Sequence, residues 1–361
     1  MIFDCRTISL LITSKNKLLR WYINNDNLSD KDIIEIDHNF NGDLIEIVCS
    51  DDSAFALTNN GIIYKLSYEH TINEIKLNFK VKTVACSSDY LIIVDEDNWL
   101  YSGGSNTNGQ LGIGTMYSHC SNDIYSTNTN LGPVKKIVCG YNFTMLFTYS
   151  NELFGWGSNE SKQLSLDGTN ILVPTKINSQ YLEDSTIIDI SCGHDYSVVV
   201  TRSNKLNILV SGKAGYLFDS SPILNNLEIL PNVDMCDLKC ISSGSFHTIF
   251  LEETLDGSKK LWGFVQKVNY NNIYHYLNKM QIIPITIDDM DNIEYVVCGN
   301  WDVFLISNSN IYSFQSNKLF QYCVCPDLTT IDDSKISILS GRFDLPINNK
   351  NKKSTKSANN K

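Results

Sequence analysis

The segment from Val134 to Leu164 reads VKKIVCGYNFTMLFTYSNELFGWGSNESKQL and predicts a complete structural unit. A short apolar strand ends at Cys139-Gly140, and a second apolar strand, Met145 to Phe147, follows a tight turn. A polar turn then leads to a third strand that ends at Trp156-Gly157. Apolar runs bounded by turn residues are typical of strands, so the segment predicts three consecutive strands.

The chain repeats this unit. The position of Cys139, called the slot below, recurs at intervals of 37 to 55 residues. The aligned slots are Cys49, Cys86, Cys139, Cys192, Ser243, Cys298 and Ser340. Ile8 to Leu18 aligns without a gap on Tyr196 to Leu206, so the chain begins inside a repeat. Ile336 to Phe343 aligns with the opening strand of the unit, and the second and third strands do not follow it. The sequence therefore predicts six internal repeats and a seventh assembled from both termini.

This pattern resembles the regulator of chromosome condensation repeat family. The resemblance is carried by VCGYNFTMLFTYSNELFGWGSNESKQL at 138–164 and by YSGGSNTNGQLGIG at 101–114, which contains Asn-x-x-Gly-Gln-Leu-Gly-x-Gly. It implies an all-β fold, a seven-bladed β-propeller of four-stranded blades. Some repeats depart from the pattern, since Tyr64-Lys65-Leu66 stands where Trp-Gly is expected.

Physical reasoning favours the same closed ring. A four-stranded blade cannot bury both faces alone, and a ring of stacked blades leaves no long unprotected edge. We expect N- and C-terminal strands to share one blade and thereby close the ring. The slot glycine suits a crowded inner strand, and Trp156 is expected to fill the wedge between blades. The predicted domains are a propeller at 1–345 and a disordered basic tail at 346–361, which has few apolar residues.

The charge distribution limits the partners. The whole chain of 361 residues carries a net charge of −11. Residues 346–361 contribute five lysines and no acids, which leaves −16 on the propeller. Such a body repels phosphate backbones, so we expect no direct nucleic-acid binding through the propeller. No apolar run of membrane-spanning length and no signal peptide is visible. The sequence therefore predicts no membrane association and an intracellular protein of the cytoplasm or nucleus.

The cysteines do not indicate a metal site. Five of the eleven occupy slots, and an odd number without a secretion signal favours reduced thiols. Cys323-Val324-Cys325 and the pair Cys236 and Cys240 lack the paired spacing and nearby histidine of a zinc site. No catalytic triad or nucleotide loop is visible either. We therefore expect no metal, no cofactor, no catalytic residue and no enzymatic activity.

The alignment predicts a candidate binding surface. The two residues after each slot pair should emerge at turns on one face of the ring, a surface called the rim below. Exposed aromatic residues beside acids would suit a basic protein partner. The rim candidates are Asp51, Asp52, Asp89, Tyr141, His194, Asp195, Phe246, Trp301 and Phe343.

Two further features are candidates for partner binding. The segment Gln266 to Asp291 contains Tyr270, Tyr274 and Tyr276 and is compatible with one short helix or an ordered loop. Clustered tyrosines are typical of protein-contact surfaces, although these residues could equally cover the outer strand of a blade. His247 lies in Gly244-Ser245-Phe246-His247-Thr248, and we expect a hydrogen-bonded structural residue beneath a turn. An exchange-factor surface shared with His194 is the alternative.

Fold alone does not determine function. The acidic aromatic rim and the lack of catalytic motifs favour a non-enzymatic scaffold or adaptor that binds a protein partner. The family resemblance implies an alternative, a guanine nucleotide exchange factor for a small GTPase. Exchange needs only preferential binding of the nucleotide-free state, so the lack of catalytic motifs does not separate the two hypotheses.

Overall fold

A computed structural model describes most of the chain as a series of antiparallel strands. The described residues are 2–4, 8–12, 18–22, 34–36, 38–49, 53–67, 71–87, 89–118, 123–213, 224–230, 235–245, 247–265, 267–270, 273–276, 282–286, 293–298, 303–307, 310–315, 318–323, 338–339 and 342–343. The predicted tail at 346–361 lies outside these residues and stays a prediction, as does the domain boundary.

Among the described residues, five sheets have four strands each, joined in chain order. Sheet 1 contains β1 (Ile2–Asp4), β2 (Ile8–Ile12), β3 (Leu18–Tyr22) and β4 (Ile34–Ile36). Sheet 2 contains β5 (Leu44–Cys49), β6 (Ser53–Thr58), β7 (Ile63–Ser67) and β8 (Ile72–Glu74). Sheet 3 contains β9 (Val81–Ser87), β10 (Tyr90–Asp95), β11 (Trp99–Gly104) and β12 (Tyr125–Asn130). Sheet 4 contains β13 (Val134–Cys139), β14 (Phe143–Thr148), β15 (Leu153–Ser158) and β16 (Asn170–Lys176). Sheet 5 follows a short helix, α1 (Gln180–Glu183), and contains β17 (Thr186–Cys192), β18 (Tyr196–Arg202), β19 (Leu206–Gly212) and β20 (Leu224–Ile229).

The C-terminal part of the described chain forms two five-stranded sheets and a hairpin. Sheet 6 contains β21 (Leu238–Ser243), β22 (His247–Glu253), β23 (Lys259–Val265), β26 (Ile282–Thr286) and β32 (Arg342–Phe343). The hairpin inserted between β23 and β26 contains β24 (Lys267–Tyr270) and β25 (Ile273–Tyr276). Sheet 7 contains β27 (Ile293–Cys298), β28 (Val303–Ser307), β29 (Asn310–Gln315), β30 (Lys318–Cys323) and β31 (Ile338–Leu339).

The all-β propeller is confirmed, with corrections in its construction. Seven four-stranded blades were expected, whereas the described strands form five four-stranded blades and two five-stranded sheets. The C-terminal strands also do not complete sheet 1. Ile2–Asp4 pairs with β2 and so fills the opening position itself, while Ile338–Leu339 pairs with β30 and Arg342–Phe343 with β26.

The first strand of each sheet lines the inside of the ring. These strands contact one another in the order β1, β5, β9, β13, β17, β21 and β27, and β27 returns to β1. The ring is therefore closed by packing of β1 between β5 and β27. In the described first strands, the slot residue stands at or next to the strand end, as at Cys49, Cys139 and Cys298.

The core lies between sheets rather than within them. Every residue of β10 and β14 is buried, and alternate side chains of β14 enter different cores. Leu146 packs with residues of sheet 3, whereas Met145 and Phe147 pack with residues of sheet 5. Trp156 is fully buried in the core between sheets 3 and 4 and donates its indole N–H to the Gln110 carbonyl at 2.9 Å, which confirms the expected wedge.

The family motif orders the connection from third to fourth strand. Asn106 is fully buried, and its amide nitrogen donates to the carbonyls of Thr115 and Tyr117 at 2.8 and 3.1 Å. Its amide oxygen accepts the Leu111 N–H at 3.0 Å. Asn159 makes the corresponding bonds in sheet 4. Each asparagine therefore replaces the backbone pairing that its loop lacks.

Asparagines at the hairpins between second and third strands fasten neighbouring sheets. Asn151 has a φ of 64°, a left-handed conformation that asparagine tolerates. Its side-chain oxygen accepts the Ile187 N–H at 2.7 Å, and its nitrogen donates to the Ser185 carbonyl at 2.8 Å. Asn98 has a φ of 66° and accepts the Val134 N–H at 3.2 Å. The turn geometry and the contact between sheets thus depend on the same residue.

We predict that Asn151→Gly lowers the free energy of unfolding by about 1–3 kcal/mol, because glycine keeps the turn but loses both hydrogen bonds to sheet 5. Asn151→Ala should lose about 1 kcal/mol more, since its Cβ disfavours the left-handed conformation. Urea unfolding followed by tryptophan fluorescence measures both values. The neighbouring exposed Ser150 provides a control, as Ser150→Ala should change stability by less than about 0.5 kcal/mol. A glycine variant as stable as the wild type would contradict the assignment.

Candidate functional site: the rim

The topology places the rim candidates that the structure describes on one face of the ring. Asp89 lies between β9 and β10, Tyr141 between β13 and β14, and His194 and Asp195 between β17 and β18. All three turns connect a first to a second strand, so they share the face that defines the rim. Asp89 and Tyr141 are exposed, and His194 and Asp195 are half-buried. Asp51, Asp52, Phe246 and Trp301 lie outside the described residues, and their place at the rim stays a prediction.

The rim turns of sheets 4, 5 and 6 contact one another. The Tyr141 and His194 rings stack with centroids 4.1 Å apart and an interplanar angle of 13°. The Nδ1 atom of His194 lies 3.1 Å from Oδ2 of Asp195. The His194 backbone N–H donates to the Ser245 carbonyl at 3.1 Å. A partly exposed aromatic ring is therefore held beside a carboxylate by contacts that span three sheets.

The tyrosine-rich hairpin is inserted between the end of β23 and the start of β26, which both lie at the rim face. Strand β23 runs toward this face because Val265, at its end, pairs with His247, which follows the rim turn. The segment forms the hairpin β24–β25 rather than the helix or loop expected. Tyr270 lies in β24, and Tyr274 and Tyr276 lie in β25.

Two candidate residues, His247 and Phe343, lie in strands rather than in rim turns. His247 is 8% exposed and lies in β22, where its backbone carbonyl accepts the Gly244 N–H at 2.8 Å. This position agrees with a structural residue beneath the turn rather than a partner contact. Phe343 lies in β32 and pairs with Ile285, so it occupies the outer edge of sheet 6 instead of a rim turn. Backbone pairing with β26 is the reason for that correction.

A buried tyrosine four positions after the slot supports the rim turn of the following sheet. Tyr196 is fully buried, and its hydroxyl donates to the His247 carbonyl at 2.7 Å and lies 3.2 Å from the Gly244 carbonyl, both in sheet 6. Tyr90 makes the corresponding bonds to Phe143 and Gly140 at 2.5 and 3.0 Å in sheet 4. Burial raises the pKa of both phenols. The hydroxyls therefore stay protonated and donate at neutral pH.

The aromatic side chain four positions after the slot also requires the slot glycine. A Cβ on Gly140 would overlap the Phe143 ring, and a Cβ on Gly193 would overlap the Tyr196 ring. The slot thiol beside it is also enclosed, and burial raises the pKa of Cys139 to about 12. A protonated, half-buried thiol is a poor nucleophile. The slot pair is thus a packing feature.

Sequence reasoning missed a set of polar residues on the first strands. In six described first strands, a register shift consistent with a β-bulge lies next to the residue three positions before the slot. These residues are Glu46, Thr83, Lys136, Asp189, Cys240 and Tyr295. Lys136 Nζ lies 2.5 Å from Asp189 Oδ1 on the next first strand. Glu46 accepts hydrogen bonds from Thr83 and from the Val84 N–H at 3.1 and 3.2 Å. The repeated spacing from the slot was the signal available in the sequence.

Glu46 titrates near neutrality. Burial raises its pKa to about 7, although the hydrogen bonds from Val84 and Thr83 and the charge of Lys136 act in the opposite direction.

The described residues contain no group of three histidine, cysteine, aspartate or glutamate side chains that could hold a metal ion. Within the same residues, no helix has the length and apolar character needed to cross a bilayer.

Comparison with known proteins identifies the repeat. Residues 97–147 and 150–200 match the regulator of chromosome condensation (RCC1) repeat, and residues 134–163 match a second description of the same repeat. The chain therefore contains RCC1 repeats. The matched residues cover the outer half of sheet 3, all of sheet 4 and the first two strands of sheet 5 almost to their end, and they include the rim turns of Tyr141 and His194.

The similar curated proteins each match this chain over only part of their own length. The ultraviolet-B receptor UVR8 of Arabidopsis thaliana is 27% identical over 225 residues, which are 61% of this chain and 49% of the receptor. The X-linked retinitis pigmentosa GTPase regulator of Canis lupus familiaris is 32% identical over 99 residues, 27% of this chain and 10% of the regulator. This chain therefore spans about half or less of these curated relatives. The crystal structure of Prp20p from Saccharomyces cerevisiae superposes with a TM-score of 0.64 at 17% identity, covering 82% of this chain and 80% of Prp20p, which shows a shared fold.

We predict that Tyr196→Phe lowers the free energy of unfolding by about 1–3 kcal/mol, because two carbonyls of sheet 6 lose a buried donor. Thermal or urea unfolding measures the change. Tyr149→Phe is the matched control, since Tyr149 is 69% exposed. Equal stabilities of the two variants would show that the Tyr196 hydroxyl does not fasten the sheets.

We predict that Glu46 makes stability depend on pH between about 4.5 and 7. Its pKa is higher in the folded than in the unfolded chain, so the folded state binds the proton more tightly and gains stability as the pH falls through this window. The difference in unfolding free energy between wild type and Glu46→Gln should rise by up to about 3 kcal/mol from pH 8 to pH 4.5. Urea titrations at several pH values measure it. A difference independent of pH would contradict the raised pKa.

Proposed function

We propose that this RCC1 repeat propeller is a non-enzymatic scaffold that binds a protein partner at its rim. The observation that carries the proposal is the stack of Tyr141 on His194 beside Asp195, which joins the rim turns of sheets 4 and 5. The His194 backbone N–H adds the turn of sheet 6 through its hydrogen bond to the Ser245 carbonyl. Because these side chains are already held in place, little conformational entropy is lost when a partner covers them. Aromatic anchors in a fixed position are typical of interface hot spots.

The chemistry of the rim favours a basic partner. The exposed Tyr141 ring offers a face to a guanidinium or ammonium group, and the Asp195 and Asp89 carboxylates offer charge complementarity. The net charge of −16 on residues 1–345 opposes nucleic-acid binding through the propeller. The proposal includes no cofactor and no membrane partner. The odd number of cysteines supports a reducing compartment, the cytoplasm or the nucleus.

A second candidate function is nucleotide exchange on a small GTPase. It is supported by the similarity to the retinitis pigmentosa GTPase regulator, whose name states that this relative regulates a GTPase. An exchange factor stabilises the nucleotide-free GTPase, so magnesium chelation should strengthen such a complex. A scaffold complex has no such dependence.

We predict that Tyr141→Ala and the charge reversal Asp195→Lys each reduce partner binding at least tenfold, because both remove central contacts of the rim. Partners are captured from native lysate on the purified full chain with and without EDTA, identified by mass spectrometry, and their affinities are then measured with each variant. Tyr149→Ala and Asp97→Asn are matched controls on the opposite face, between second and third strands, where both residues are exposed.

The outcomes separate the two functions. A partner that depends on the rim and is indifferent to EDTA supports the scaffold. A GTPase retained chiefly in EDTA supports exchange. Partners whose binding is unchanged by the rim variants would contradict the assignment of the rim as the binding surface.

A further inference from the structure

Strand β32, the last strand that the structure describes, runs toward the rim. Strand β26 runs from the rim face to the opposite face, because Ile282 pairs with Phe264 near the rim end of β23 and Ile285 pairs with Leu261. Strand β32 is antiparallel to β26, with Arg342 opposite Thr286 and Phe343 opposite Ile285. Strand β32 therefore runs toward the rim, and residues 344–361 follow it in the sequence.

The residues after Phe343 are long enough to cross the rim. Residues 344–361 are 18 in number, and a fully extended chain of this length spans about 60 Å. A domain of this size has a radius of gyration of about 20 Å. Every rim turn is consequently within reach of the segment.

The segment also complements the rim chemically. Residues 346–361 contain no acid and five lysines: Lys350, Lys352, Lys353, Lys356 and Lys361. The rim presents the carboxylates of Asp89 and Asp195 and the exposed ring of Tyr141. Lysine side chains bind both kinds of group, through charge and through the aromatic face.

We propose that residues 346–361 dock on the rim of their own propeller and compete there with the protein partner. This inference rests on the proposed function, because it assigns a regulator to the same surface. Contacts between exposed lysines and carboxylates are individually weak and screened by salt. Covalent tethering compensates, since a short flexible linker gives an effective concentration in the millimolar range. The intact chain would thus bind partners more weakly than a chain that ends at Leu345.

The first test is carbodiimide cross-linking of the full chain, which joins lysine amines only to carboxylates in direct contact. Peptide mass spectrometry should find links from Lys350, Lys352 or Lys353 to Asp89 or Asp195, and 0.5 M salt should reduce them. Glu96 and Asp97 on the opposite face are exposed internal controls and should not be linked. Links distributed equally over both faces, or the lack of any link to the rim, would overturn the proposal.

The second test uses a fluorescent peptide of residues 346–361 as the probe. It should bind a chain ending at Leu345, which retains every described strand, at least ten times more tightly than it binds the full chain. Asp89→Asn combined with Asp195→Asn should abolish the difference, as should a peptide with all five lysines replaced by glutamine. Equal binding of the lysine peptide to both chains would overturn the proposal.

The two proposals fail in distinguishable ways. If a partner requires Tyr141 and binds the full and shortened chains equally, the scaffold function stands and docking of the segment is wrong. If the peptide binds the rim but no partner depends on Tyr141, docking stands and the scaffold function is wrong.

Discussion

Burial of each second strand between two neighbouring sheets is the constraint on which this propeller depends. The side chains of β14 alternate between two cores, with Leu146 directed to one and Met145 to the other. In β18, Val199 and Val198 divide in the same way. No single sheet is therefore a stable unit, because half of the apolar area of its second strand is covered by the next sheet. Polar contacts between sheets, such as those of Tyr196 and Asn151, align this packing rather than replace it.

The rim inherits its order from that packing. Tyr90 and Tyr196 place hydroxyl groups beneath the turn of the following sheet, and the slot glycines allow the rings to lie against the backbone. The turns are consequently supported from below by buried side chains. An exposed residue such as Tyr141 can then keep a defined position without being part of the core, which is the property that a binding surface needs.

The sequence predicted the features that repeat and missed those that occur once. The slot, the wedge of Trp156 and the loop motif at Asn106 recur, so alignment of the chain with itself revealed them. Closure was predicted wrongly because Ile2–Asp4 is too short to stand out as a strand, and because Asp4 stands at the slot position that the alignment of Ile8 on Tyr196 gives. The hairpin at Tyr270 was missed because its period was ambiguous between helix and strand. The inner polar residues were missed because a bulge shifts their register, and the pKa of Glu46 follows from burial that no local pattern reports.

The corrected closure changes how the ends of the chain are used. Because β1 completes sheet 1, the strands at Ile338–Leu339 and Arg342–Phe343 are free to add to the outer edges of sheets 7 and 6. Outer edges expose unpaired backbone groups, and covering them lowers the tendency to pair with other chains. Both added strands are antiparallel to an outer strand that runs away from the rim, so both run toward the rim. Edge protection and the direction of the last described strands are therefore consequences of the same backbone pairing.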